Sequence, residues 1–280
     1  MSIRIIADSA CDIVGNTNRY LKVVPLPIMF GDEQYLDGVT LSHMEFYEKL
    51  VSSAVVPTTS QVPPHDFENA IRETLDAGDT PIVLTVSSKL SGTYNSARIA
   101  ASEFDEKVYL VDSENVCLGE KVLVQYAVRL AEEGKGAEEI VAELDKRKKK
   151  IRLIALLDTL KYLRKSGRIS HITGIAGDIL SIKPLVSIQN GAIELAGKAR
   201  GLRNANKLLT QLIVKEGGID FSMPYALGFT GAADNLLQKY IEESKEIWKE
   251  KISKLPIGTI GGPIATHAGP GAIGVAFFAP

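Results

Sequence analysis

The chain has 280 residues, 45% of them hydrophobic and 24% charged, and its 32 Lys and Arg against 34 Asp and Glu give a formal net charge of -2. Such a composition excludes a disordered chain and describes a soluble globular protein with enough core for two modest domains. It also gives no long-range attraction to nucleic acid, although a local basic face remains open.

In chain order, IRIIA near the start is a β-branched run, far too short for a secretory signal core. Helical patterns follow at Ser42 to Ser52, Pro64 to Ala77, Ser91 to Glu103, Gly119 to Glu133 and Ala137 to Lys150, with Gly78, Gly134 and Gly136 as stops. Between them lie the strand-like runs PIVLTV (Pro81 to Val86) and KVYLV (Lys107 to Val111). Strands alternating with amphipathic helices are the mark of βαβ units, so the first half is expected to be an open α/β domain with a mostly parallel sheet and flanking helices.

The second half mixes its signals. PLVSIQNGAIELAG (Pro184 to Gly197) carries Asn190 and Gly191 between two β-like runs, a strong hairpin cue. Helices at about Arg203 to Glu216 and Ala232 to Glu250, with strands near Tyr225 to Phe229 and Ala272 to Phe278, complete an α/β domain with a mixed sheet. The stretch from Leu255 to Pro280 lacks Lys, Arg, Asp and Glu, but its prolines and glycines would break a membrane helix, and it reads as buried strands joined by tight turns. The domains are expected at 1–155 and 156–280.

Cys11 and Cys117 form no close pair, so neither a disulfide framework nor a thiolate metal site is indicated, and a cytoplasmic location is expected. His43, His65 and His171 lack ligand spacing, so no metal site is proposed. GPGAIG (Gly269 to Gly274) spells a dinucleotide fingerprint, but without the helix and acid-bearing strand that should follow; glycine for close backbone approach is the better reading. A basic stretch runs through Lys146, Arg147, Lys148, Lys149, Lys150 and Arg152 to Lys161, Arg164, Lys165 and Arg168, and its first five residues suit a solvated helix end.

Seven segments in order resemble the DegV family of bacterial fatty-acid-binding proteins: DSACD (Asp8 to Asp12), PTTSQVPP (Pro57 to Pro64), SSKLSGTYNSA (Ser87 to Ala97), VDSENVCLG (Val111 to Gly119), LKYLRKSGRIS (Leu160 to Ser170), LSIKPLV (Leu180 to Val186) and IATHAGPGAIGVAFF (Ile264 to Phe278). Cys117 and the Val62, Pro63 pair depart from the family's pattern.

The resemblance implies a two-domain fold with a long-chain fatty acid buried between the domains, its carboxylate held by Thr59 and Ser91, with Ser60, Gly92, Thr93 and His267 nearby. It implies no catalytic residue and no cofactor. Arg168 would lie at the pocket mouth, facing phosphate or a partner, and the partner would be a fatty acid kinase that makes an acyl phosphate, with transient contact to a membrane surface. The residues themselves are compatible: both hydroxyl-rich loops feed predicted helices, and Ser91 follows the carboxyl end of a strand, where open α/β sheets bind ligands and helix N-termini receive anions. Taken without the resemblance, Ser91 is an N-cap, Thr59 and Ser60 a hydroxyl turn, and Asp8 and Asp12 a strand-end loop and helix cap.

Two rival functions are a serine-dependent acyl hydrolase using Ser91 and a nucleic-acid-binding regulator using the basic stretch. The first lacks a G-x-S-x-G elbow, and the second lacks any nucleic-acid motif.

Overall fold

A computed structural model describes residues 2–15, 18–53, 55–105, 107–169 and 181–280. The chain enters as β1 (Ile3–Asp8) and β2 (Leu21–Val24), then forms a small meander of β3 (Pro27–Phe30) and β4 (Glu33–Leu36), helix α1 (His43–Ser52) and the two-residue β5 (Thr58–Thr59). It continues through α2 (Pro64–Asp76), β6 (Thr80–Thr85), α3 (Thr93–Ala101), β7 (Tyr109–Asp112), α4 (Leu118–Glu132) and α5 (Ala137–Arg147). Strands β2-β1-β6-β7 form one four-stranded sheet, parallel at every pairing, as the alternating pattern predicts. Local chemistry sets the helix starts: Ser42 and Glu45 make a reciprocal capping box at α1, and Pro64 opens α2, where its missing N–H costs nothing.

The second unit holds β8 (Ile151–Leu156), α6 (Lys161–Lys165), β9 (Ile182–Gln189), β10 (Ala192–Arg200), α7 (Leu202–Lys215), β11 (Ala226–Phe229), α8 (Asn235–Glu243), α9 (Lys245–Trp248), β12 (Ile257–Thr259), α10 (Gly262–Ala268) and β13 (Ile273–Phe278). Its sheet, ordered β10-β9-β8-β13-β11-β12, is antiparallel except for the β11–β12 pair, hence mixed. Asn190 and Gly191 both have positive φ, 49° and 81°, as a tight two-residue hairpin turn requires. Strand β8 already belongs to this second sheet, so the division expected at 155/156 falls at the end of a strand rather than in a linker.

Three details differ from the sequence reading. The small antiparallel sheet β4-β3-β5 was not anticipated, because its strands are too short to show a period. The segment after Leu255 contains helix α10 as well as strands: Pro263 fits a first helical turn, and Gly269, at φ 75°, ends it. The long helix expected over 232–250 is interrupted at Ser244, whose hydroxyl donates to the Tyr240 carbonyl and accepts from the Trp248 indole N–H.

The mixed sheet has two differently occupied faces. Ile154, Leu156 and Leu185 pack under α7, α8 and α9 with Leu209, Leu237, Tyr240 and Trp248. The alternate residues Leu153, Ala155 and Leu157 point the other way, toward the first unit, and there they line a cavity.

Candidate functional site

The cavity lies between the two sheets and encloses about 1020 Å3 of space, counting its opening to solvent. Its wall is mostly aliphatic. The parallel-sheet unit gives Ala10, Leu26, Val86 and Leu90, the mixed sheet gives Leu153, Val186 and Ile188, and α10 gives Pro263 and Ile264. Thr59, Ser60, Ser91, His267 and Arg168 supply most of the polar lining, with Ser187 and the thiol-bearing Cys117 elsewhere in the wall.

These polar residues come from distant parts of the chain. Thr59 sits on β5, paired through its backbone with Ile28 of β3, and its Oγ1 lies 2.8 Å from Nε2 of His267 on α10. Ser91 precedes α3; its hydroxyl is 2.9 Å from Thr93 Oγ1 and accepts from the Thr93 N–H at 3.2 Å. Thr93 Oγ1 in turn accepts from the Val62 N–H at 3.4 Å, and a Cβ placed on Gly92 would stand 1.9 Å from Gln61 Oε1. The Thr59 to Val62 and Ser91 to Thr93 segments therefore lie against one another, which brings together the two hydroxyl loops and the histidine.

Burial, reinforced by the Arg168 guanidinium, pushes the His267 imidazole down to about 4, so the ring is neutral near pH 7. Its Nδ1 is buried and has no hydrogen-bond partner among the described residues. Arg168 itself is exposed, its Nη1 donating to the Ser166 carbonyl at 2.6 Å. Its charge is close enough to act on His267 yet remains open to solvent. One part of the cavity wall thus combines hydroxyl groups, a neutral imidazole and one nearby exposed cation, a set able to hydrogen-bond an anionic oxygen without burying a permanent counter-charge.

The sequence and the fold both match a known family along nearly the whole chain. A family model described as uncharacterised protein, DegV family, matches residues 2–280. The chain belongs to the DegV family. A DegV domain-containing protein of Deinococcus radiodurans is 33% identical over 99% of this chain and 98% of its own length. A solved DegV family protein from Thermus thermophilus, whose description reports fatty acid binding, superposes with a TM-score of 0.86 at 30% identity, covering all of both chains. DegV from Bacillus subtilis, described as a fatty acid binding protein, superposes at 0.83 with 27% identity, again over both full chains.

Other sequence candidates take structural places. Asp8 caps a short turn after β1, accepting from Ala10 N–H at 3.0 Å and from Val86 N–H at 2.8 Å. Part of the basic stretch is ion-paired: Arg147 with Glu143, Lys148 with Asp145, Lys149 with Glu114 and Arg152 with Glu216. His171, Ser170 and Leu180 lie outside the described residues. Among the described residues, no group of three or more His, Cys, Asp or Glu is arranged to hold a metal ion, and no helix is long and apolar enough to cross a membrane. The aliphatic wall from β8, β9 and α10 was not singled out from the sequence; the alternation of Leu153, Ala155 and Leu157 is the signal that carries it.

Proposed function

We propose that this protein binds one long-chain fatty acid with its tail in the cavity and its carboxylate at Thr59 and Ser91, and presents that carboxylate to a fatty acid kinase. The observation that carries the reading is the pairing of an aliphatic cavity with a cluster of hydroxyls, imidazole and exposed arginine contributed by β5, the α3 loop, α10 and the Arg168 segment. The fatty acid binding described for the relatives from Thermus thermophilus and Bacillus subtilis supports it. Each buried methylene contributes about 0.8 kcal/mol, so a tail of roughly fourteen to seventeen buried carbons supplies about 11 to 14 kcal/mol before the ordering cost of binding. The tail gives affinity and the hydroxyls give orientation.

In this reading Ser60, Gly92, Thr93 and His267 support the two carboxylate donors, and Arg168 meets the kinase or the new phosphate. The protein itself does no covalent chemistry, acts in the cytoplasm and touches a membrane surface transiently. The test is reconstitution: protein loaded with palmitate is mixed with a fatty acid kinase and ATP, and acyl phosphate is trapped with hydroxylamine. Hydroxamate that depends on this protein supports presentation. Equal yields with and without it would contradict presentation.

A further inference from the structure

We propose that Asp12 and Asp37 are positioning residues of the head-group site, holding the start of α10 from the parallel-sheet unit and so setting where His267, near the other end of that helix, meets Thr59. The inference deepens the carboxylate-site reading above and rests on it for its effect on ligand.

Two consecutive residues leading into α10 are each held by the first 50 residues of the chain. The Tyr47 hydroxyl donates to the Ile260 carbonyl at 2.6 Å, and the Gly261 N–H donates to Asp12 Oδ1 at 2.7 Å. Asp37 stands beside the same turn: its Oδ1 lies 3.8 Å from Nε2 of His43, and the Ser9 hydroxyl and Gly262 N–H act on its carboxyl group. Both aspartates are almost fully buried, 4% and 5% exposed, so these are not solvated surface contacts. An N–H bonded to a buried carboxyl group is costly to leave unpaired, which makes the grip specific in position as well as favourable.

The glycines confirm how closely the parts fit. A Cβ on Gly261 would lie 2.6 Å from His43 Nε2 and 3.1 Å from Asp12 Oδ1, and one on Gly262 would lie 2.6 Å from Ile28 Cδ1 and 2.7 Å from Phe46 Cδ2. Ile28 is also the backbone partner of Thr59. One small sheet thus places the hydroxyl while it packs against the start of the helix that places the imidazole. Because α10 runs only from Gly262 to Ala268, at about 1.5 Å of rise per residue any displacement of its start is carried to His267. Asp12 closes the DSACD segment, a place otherwise accounted for only as a turn and cap.

The test uses the full chain without ligand and follows the His267 imidazole by NMR with labelled histidine, the signal being assigned by its loss in His267→Gln. Asp12→Ala and Asp37→Ala should each move that signal, and each should weaken displacement of a fluorescent fatty acid by palmitate about tenfold. Asp12→Asn keeps an acceptor oxygen and should stay near wild type in both readouts. In a His267→Ala background, Asp12→Ala should weaken palmitate binding no further. If Asp12→Ala does not fold, Asp37→Ala and Tyr47→Phe carry the test, since each removes a side chain set against the start of α10. A wild-type imidazole signal and wild-type affinity in the folded variants would overturn the proposal, as would equal losses for Asn and Ala. A wild-type protein that binds no fatty acid would instead sink the head-group reading, and the ligand-free imidazole signal would still decide the positioning.

Discussion

Thr59 Oγ1 and His267 Nε2 stand 2.8 Å apart although 208 residues separate them in the chain. Nδ1 of the ring has no partner among the described residues, and the proton shared between Nε2 and the hydroxyl decides whether Thr59 can donate to anything else. If Nε2 carries the hydrogen, it donates to Oγ1 and the threonine proton is free for a carboxylate. The site then has a donor in each of its two hydroxyl loops.

Removing either donor should therefore weaken fatty acid binding. Thr59→Ala and Ser91→Ala are each expected to cost about 1 to 3 kcal/mol, the penalty for leaving a charged acceptor short of one hydrogen bond, while circular dichroism stays that of the wild type. Displacement of a fluorescent fatty acid measures this. Unchanged affinity in both variants would place the head group elsewhere.

Arg168 should behave differently. Its guanidinium is exposed and already donates to Ser166, so Arg168→Ala should change fatty acid affinity by less than about 1 kcal/mol while it lowers acyl-phosphate formation with the kinase. The same variant removes a cation that depresses His267, so the imidazole should titrate above about 4. A histidine titration followed by NMR and the hydroxamate assay check the two halves. Loss of affinity with normal turnover at saturating ligand would make Arg168 part of the carboxylate site.

Stability should fall as pH rises through neutrality. Burial raises Asp8 and Asp37 to about 7 from an ordinary 3.8, and it pushes Glu120, whose two carboxyl oxygens have no partner among the described residues, well above its usual range. The folded state then holds protons that the unfolded chain has lost, so these groups contribute fully below about pH 4, and the contribution of the two aspartates disappears as pH climbs through 7. His267 acts oppositely, costing stability as pH falls from 6.5 toward 4, but it is one group against three. The ligand-free protein should have a higher thermal midpoint at pH 5 than at pH 8, and Asp37→Asn should flatten that difference. A midpoint higher at pH 8, with no change of slope in the variant, would show that the acids are ionised in the folded state.

The packing at α10 makes a prediction of its own. Gly262→Ala should destabilise the fold by about 1 to 3 kcal/mol, because the new methyl meets Ile28 and Phe46 in a filled core. Urea unfolding measures the cost. A neutral result would mean that the β3 and α1 contacts give way freely.

The parallel sheet was legible because β-branched runs alternate with helical patterns, and the hairpin was legible because Asn190 and Gly191 are residues that accept positive φ. Ser91 could be placed at the end of a strand for the same reason. The partnership of Thr59 with His267 could not be read, since no local pattern links residues that far apart. Helix α10 was hidden because glycine and proline weigh against a helix locally, while Asp12 and Tyr47 bond from far away in the chain to the residues that lead into it. Strand β5, only two residues long, owes its existence to its partner Ile28 rather than to its own sequence.

Native mass spectrometry of the protein expressed in bacteria tests the central claim most directly. The purified protein should carry one added mass in the range of a long-chain fatty acid, which organic extraction removes and palmitate restores in a one-to-one complex. A protein that emerges with its bare mass and takes up no palmitate on titration would contradict it.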